Sequence, residues 1–363
     1  MASERFSRAQ ALLGDLGVDA ILVTNETNRR YLTGFTGDDH AIDEPGGVAI
    51  ITSDHMLLLA PSTNLPWAES EANEDTKVQD WGVPWTKTVA QIAVDNGWTK
   101  FAFEEATTSV ASFIQLQEHL DDKAELIAIG KAVDALRAVK TPEEIDYLRE
   151  ALRMTDVAFV AAEARAQAGM TEKELADIVA EELKNAGSEG ESFPTIVASG
   201  PNAAKPHHAP GDREMQEGEP VIIDMGALHK GYAGDLTRTI WFGEPSVELV
   251  TMYRNVQAAV NSAIRKAGPN ITGVELDAAA RDVFAQQGTD QYFVHSLGHG
   301  LGLRVHEAPS ASFRSTDTLE PGNVVTIEPG LYVSGEGGVR IEDVVLITED
   351  GAENLTGAPK RAL

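Results

Sequence analysis

The stretch VIIDMGALHKGYAGDLTRT, residues 221–239, decides how this chain folds. It sets two acids, Asp224 and Asp235, on apolar flanks either side of a turn signal, Leu228-His229-Lys230-Gly231. With His229-Lys230 as a two-residue hairpin loop, 228 pairs with 231, 226 with 233 and 224 with 235, so the two aspartates face each other. Further along, segments 324–333 and 337–347 flank Ser334-Gly335-Glu336, a three-residue loop whose glycine can take a positive φ. Counting outward from that loop pairs 333 with 337 and Glu328 with Glu342. Directly opposed side chains lie about 4.5–5.5 Å apart at Cβ, and like charges there repel. Two such pairs embedded in apolar strands call for a compensating cation. With His299, set among glycines in HSLGHGLGLRVHE (residues 295–307), they make a candidate metal site of four carboxylates and one imidazole.

Composition narrows the surroundings of that site. A chain of 363 residues has the length for two domains or one large one, with ample core. The net charge of −28, from 57 acids against 29 bases, disfavours nucleic acid and anionic membranes as partners. The absence of cysteine excludes disulfides and thiolate chemistry, so any metal must be held by oxygen and imidazole. The opening MASERFSRAQALLGDLG interrupts each apolar run with charge, unlike a signal peptide, and no stretch nears 18 continuous apolar residues. The expected location is the cytoplasm.

The first 130 residues alternate strand and helix signals, as an α/β domain does. Residues 5–17 carry apolar positions at helical spacing, 19–24 read as a strand, and 47–52 with 55–60 flank Ser53-Asp54 as a hairpin. Strands at 101–103 and 126–129 bracket a helix running through Leu120, and no phosphate-binding glycine pattern occurs. Three capping boxes then mark helix starts: Thr141 with Glu144 (Pro142 at the first turn), Thr171 with Glu174, and Thr272 with Glu275. The later region therefore reads helix, helix, strands, and again helix (250–266), helix (274–287), strands. This is a loose internal duplication: the first half brings the aspartates, the second brings His299 and the glutamates, and a central cleft would collect them.

At these residues the chain resembles the pita-bread metallopeptidases, in the branch of aminopeptidase P and prolidase. The resemblance rests on SFPTIVASGPNAAKPHHAP (residues 192–210), the five acid and histidine motifs in order, and YLTGFTG (residues 31–37), and covers the whole chain. It implies an α+β protein: a creatinase-type α/β domain over 1–132, then a catalytic pita-bread domain over 133–363. It further implies two divalent metal ions, most often Mn²⁺ with Co²⁺ or Zn²⁺ as alternatives, held by Asp224, Asp235, His299, Glu328 and Glu342. Hard oxygen donors with one imidazole suit Mn²⁺.

By the same resemblance Glu328 doubles as a proton shuttle, while His207 and His306 contact substrate and steady the developing oxyanion. His295, Tyr332 and Arg340 line the proline pocket or support the ligands. His208, His40, His55, His119 and His229 read as structural or surface residues. The implied substrate is a peptide with proline second, the implied assembly a homodimer in which the N-terminal domain reaches the partner's cleft. An X-Pro bond lacks an N–H and restricts its neighbours, so it needs a dedicated pocket.

Within the fold, methionine aminopeptidase is disfavoured by the N-terminal domain and by DLTRT (residues 235–239), and creatinase by the intact ligand set. A non-catalytic binding module is disfavoured by Glu328, His207 and His306. Between the two peptidases, HEAPS (residues 306–310) puts Ser310 where some prolidases carry an arginine for the dipeptide's carboxylate, although Arg304 or Arg314 could supply that charge. The sequence thus favours an Xaa-Pro aminopeptidase acting on longer peptides, with prolidase (Xaa-Pro dipeptidase) as the alternative.

Overall fold

In a computed structural model of the chain, which describes residues 3–362, the molecule divides into two compact units, Met1–Arg137 and Ala138–Leu363. The first two residues of the expected non-signal opening lie outside the described part.

The first unit is a six-stranded mixed sheet in the order β4-β3-β2-β1-β5-β6. Its strands are β1 (Ala20–Val23), β2 (Val48–Ile51), β3 (Met56–Ala60), β4 (Thr76–Asp80), β5 (Lys100–Phe103) and β6 (Glu125–Ala128). The hairpin about Ser53-Asp54 is present, with Ile51 paired to Met56 and the Thr52 N–H bonded to the His55 carbonyl at 3.1 Å. Six helices accompany the sheet: α1 (Glu4–Leu16), α2 (Glu26–Thr33), α3 (Leu65–Glu71), α4 (Trp85–Asp95), α5 (Val110–Leu120) and α6 (Ala132–Ala135). Strand β4, with the sequence TKVQD, lies at the sheet edge with no fully buried residue, and so offers no apolar signal in the sequence.

The second unit shows the expected duplication. Helices α7 (Pro142–Arg165) and α8 (Glu172–Asn185) precede a sheet of β7 (Ile196–Ser199), β8 (Val221–Met225) and β11 (Leu236–Ile240); the short strands β9 (Leu228–His229) and β10 (Tyr232–Ala233) continue the hairpin. Helices α9 (Val247–Lys266) and α10 (Gly273–Gln286) then precede β12 (Gly298–Gly300), β13 (Glu307–Ala311), β14 (Val324–Ile327), β15 (Gly330–Val333), β16 (Gly337–Arg340), β17 (Asp343–Thr348) and β18 (Gly351–Asn354). All three capping boxes form reciprocally, at the starts of α7, α8 and α10. Each helix pair packs on its own sheet, and Leu148 and Leu152 of α7 also reach the second half, clustering with Val324 and Val344. In the first half Leu175, Val179 and Leu183 of α8 are fully buried, each contributing about 1.5–3 kcal/mol of transfer free energy. The architecture is an α/β domain followed in the chain by the α+β pita-bread domain.

The aspartate hairpin departs from its expected register. His229 pairs with Tyr232, so the loop is Lys230-Gly231, with φ of 51° and 78°. Two positive φ values define a type I′ turn, which wants glycine at its second position. Sliding the turn by one residue moves the pairing by two, and Asp224 faces Thr237 rather than Asp235. A shift of two preserves which face each side chain occupies. The aspartates are therefore diagonal neighbours on one face instead of opposed.

The glutamate hairpin keeps its expected register. Val333 pairs with Gly337 and Ile327 with Asp343, and this one frame brackets Glu328 and Glu342. Between those two ladders the strands part. The Glu328 N–H bonds to the Leu297 carbonyl at 2.9 Å, and the Glu342 N–H to the Thr237 carbonyl at 3.1 Å. The second bond joins the sheets of the two half-domains, which brings Glu342 to the aspartates.

Close backbone contact holds the aspartate hairpin in place. A Cβ on Gly226 would stand 2.0 Å from the Gly234 carbonyl oxygen and 2.1 Å from Ser192 Oγ. Gly226→Ala is expected to cost about 1–3 kcal/mol through overpacking, lowering Tm by about 2–4 °C per kcal/mol. A melting curve superimposable on that of the parent would mean this crossing has slack.

Candidate metal centre

Asp224 lies in β8 and Asp235 on the residue before β11, the latter 5% exposed. Glu342, 1% exposed, precedes β17. One carboxylate oxygen from each of these three lies within 4.8 Å of the others. His299, in the middle of β12, brings its Nε2 to 3.1 Å from Glu328 Oε1 and 3.8 Å from Asp235 Oδ2. The five residues singled out in the sequence thus converge where the two half-domains meet.

Threonines inside the strands set the aim of these side chains. Thr237, opposite Asp224, donates its hydroxyl to Glu342 Oε2 at 3.0 Å and accepts from Arg340 Nε at 3.1 Å. Thr326 does the same in the second half, accepting from the His299 N–H at 3.0 Å and donating to Glu328 Oε1 at 3.2 Å. The sequence reading missed both. Their only signal is a hydroxyl at an inward position of a strand, two residues from an acid of the cluster in each case.

Electrostatics favour a cation here. Burial holds the Asp235 carboxyl well above the usual range, and the charges of Glu342 and Asp224 push it further. Glu342 is likewise raised by burial and then by Glu328 and Asp224, and Asp224 by burial against the pull of Arg340. Glu328 goes the other way: burial is outweighed by its hydrogen bond and charge contact with His299, and its carboxyl falls to about 2. His299 is raised in turn, Glu328 prevailing over burial. Asp224 Oδ1 and Glu342 Oε1 are buried without a hydrogen-bond partner. Unpaired buried anionic oxygens are costly. Aimed into one cluster with an imidazole, they are the donor set of a hard divalent cation, and the residues fit one.

Arg340 is 2% exposed and fully engaged. It donates to Asp224 Oδ2 at 2.7 Å, to Tyr332 OH at 2.9 Å and to the Pro206 carbonyl at 3.2 Å. His295 Nδ1 lies 2.7 Å from the Ser296 carbonyl and must carry a hydrogen there, so Nε2 accepts from Tyr332 OH at 2.9 Å. Burial keeps the His295 ring below its ordinary range and pushes Tyr332 up to about 12, both consistent with neutral groups. Of the three residues expected to line or support the proline pocket, His295 and Arg340 border the cavity while Tyr332 stands behind them.

That cavity is about 580 Å³, within the range of small-ligand sites. Asp224, Asp235, His299 and Glu328 lie along it, and Phe193, Ile196, Pro206 and Val305 make its apolar walls. His207 and His306 also border it, and the His306 ring meets the edge of His299 at a centroid distance of 4.2 Å. Burial, then the charge of His299, keep His306 below its usual range, with the exposed Arg304 a further positive neighbour. Of the histidines read as structural or surface, His208 proves to be a hydrogen-bond partner of buried Glu172 at 2.8 Å, and His55 bonds Asp54 beside its turn.

Comparison with known proteins agrees with this geometry. Residues 146–349 match the family described as metallopeptidase family M24, and residues 5–139 match the creatinase/prolidase N-terminal domain. The Xaa-Pro dipeptidase of Pyrococcus furiosus is 34% identical over 99% of both chains. Among solved structures, the Xaa-Pro dipeptidase from Bacillus anthracis superposes with a TM-score of 0.93 at 36% identity, covering 99% of each chain. The X-Pro aminopeptidase from Thermotoga maritima gives 0.87 at 34%, covering 98% of this chain and 99% of that one. A buried carboxylate cluster in a two-fold repeated domain, preceded in sequence by an N-terminal domain of matching type, makes this chain a member of metallopeptidase family M24.

Proposed function

We propose that the chain is an Xaa-Pro dipeptidase, hydrolysing the bond before proline in a dipeptide. The observation that carries this is full-length similarity to relatives named Xaa-Pro dipeptidase, joined to a cavity bordered by the carboxylates, His207, His299, His306 and apolar residues; exposed Arg304, outside that lining, is a positive neighbour of His306. A dipeptidase substrate carries its carboxylate directly after proline, and Arg304 offers a cation for it. The names of the Pyrococcus and Bacillus relatives support the same reading. This reverses the ranking drawn from HEAPS, because Ser310 reports on only one of the directions from which a cation can approach. Xaa-Pro aminopeptidase is the second reading, favoured by uncharged Ser310 in the cavity wall and by the Thermotoga relative.

Asp224, Asp235, His299, Glu328 and Glu342 would hold two divalent ions, Mn²⁺ foremost. When bound, these supply an acidified water and polarise the peptide carbonyl. Ionised Glu328 accepts the proton of the attacking water and passes it to the leaving proline nitrogen. His207 and His306 donate to the oxygen on which charge develops. His295, neutral and fixed by Tyr332, forms the wall against the proline ring. Arg340 orients Asp224 by its charged hydrogen bond. A cytoplasmic homodimer accompanies this reading, testable by fractionation and light scattering.

A panel of Xaa-Pro dipeptides, Xaa-Pro-Yaa tripeptides and Xaa-Ala controls, assayed with Mn²⁺, tests the assignment. The dipeptides should be favoured at least about tenfold in kcat/KM, a difference of about 1.4 kcal/mol. A tenfold preference for tripeptides would make the chain an aminopeptidase, and no cleavage before proline would end both readings.

A further inference from the structure

Glu172 opens α8 and is fully buried, yet the reaction makes no use of it. Its carboxylate accepts five hydrogen bonds. Oε1 takes the Ser199 N–H at 2.9 Å, the Ser199 hydroxyl at 2.8 Å and the Asn202 amide at 3.0 Å. Oε2 takes His208 Nε2 at 2.8 Å and the Gly211 N–H at 3.0 Å. Burial alone would raise this acid, but the donors overcome it and its carboxyl falls to about 2. A helix-opening acid ordinarily supports its own first turn. This one instead closes the ends of a loop, residues 199–211, onto a single anion.

That loop forms one side of the cavity. Pro206 and His207 border it, the Pro206 carbonyl accepts from Arg340, and Ala203 packs so closely on Gly338 that a Cβ there would stand 2.2 Å from the Ala203 carbonyl oxygen. Among the described residues the exposed His207 ring has no hydrogen-bond partner to fix it, so its position follows from the backbone that carries it. We propose that Glu172 is a positioning residue for His207: with His208 as a hydrogen-bond partner, it holds the 199–211 loop in the conformation that presents His207 to the substrate. The adjacent histidines then have separate tasks, His208 facing inward to the clamp and His207 facing the cavity. The assignment rests on the peptidase reading above for its kinetic consequence but not for its structural one.

Glu172→Gln replaces an acceptor-only group by an amide, whose NH₂ would meet the loop's own donors. Displacing a catalytic group by about 1 Å costs about 10²-fold, so kcat on an Xaa-Pro substrate should fall by about that factor with KM little changed. If the effect passes through His207, the same substitution in a His207→Ala background should cost less than about threefold, the coupling a double-mutant cycle reads. Mn²⁺ affinity by calorimetry should be unchanged. In the chelated protein, hydrogen exchange at the Ser199 and Gly211 amides should quicken at least about tenfold, while the amides of β11 keep their protection. Additive kinetic losses, lost metal affinity, or unchanged exchange at Ser199 and Gly211 would overturn the proposal. Should Glu172→Gln not fold, His208→Gln takes its place in the same cycle, with the same outcomes deciding. A wild-type protein inactive on every Xaa-Pro substrate but with Ser199 and Gly211 released by Glu172→Gln would sink the peptidase reading and leave the clamp standing.

Discussion

Glu328→Gln should lower kcat on an Xaa-Pro substrate by about 10³-fold while the protein stays folded, the range expected when a positioned acid–base group is lost. Glu328 Oε1 sits 3.1 Å from His299 Nε2 and takes a hydrogen bond from Thr326. Its carboxyl at about 2 is ionised throughout the neutral range. Glutamine keeps the shape but can neither take up the proton nor carry the ligand charge. Losing the charged contact with His299 should cost the chelated variant some Tm, but the carboxamide oxygen can still accept from His299 and Thr326, so the variant stays folded. Steady-state kinetics at saturating Mn²⁺, beside circular dichroism, decide it: a folded variant with tenths of wild-type turnover would place the proton transfer elsewhere.

The centre was legible because side-chain parity survives errors that pairing does not. Both His229-Lys230 and Lys230-Gly231 make plausible two-residue loops, and only the need for glycine at the second position of a type I′ turn separates them. The wrong choice shifted the aspartates from opposed to diagonal but left them on one face. The glutamate hairpin had no such ambiguity, since Gly335, at φ 82°, sits in the middle of its only short loop. What the sequence could not show is where the glutamate strands part. Glu342 bonds to Thr237, 105 residues earlier, and no local pattern records that contact. Glu172 was opaque for a similar reason. In the string TEKE it looks like any acid in a helix's first turn, and its four partner residues lie 27 to 39 residues away. Buried polar residues whose partners are distant are read only from the fold, whereas capping boxes, whose partners are three residues off, were read in full.

The second large effect expected is metal-dependent stability that grows with pH. Asp224, Asp235 and Glu342 all have carboxyls raised in the folded chain. A raised folded-state pKa means that the fold prefers the protonated acid. The stability these groups contribute is then present below their unfolded values, about 4, and is lost as pH climbs through the folded ones. Glu328 has the opposite sign, but its contribution disappears only as pH falls towards about 2, outside the working range. Chelated protein should therefore lose Tm as pH rises from 5 to 8. Bound ions reverse this, because they need the same acids deprotonated and bind better as pH rises. At a thousandfold excess over Kd, one site adds about 4 kcal/mol, or about 8–16 °C in a domain of this size. The Tm gap between Mn²⁺-loaded and chelated protein should thus widen from pH 5 to pH 8, with activity fading below about pH 6 as the ligands protonate. Calorimetric melts in both states across that range give the answer. A gap that is absent, or constant with pH, would mean that the buried carboxylates are neutralised by something other than a cation.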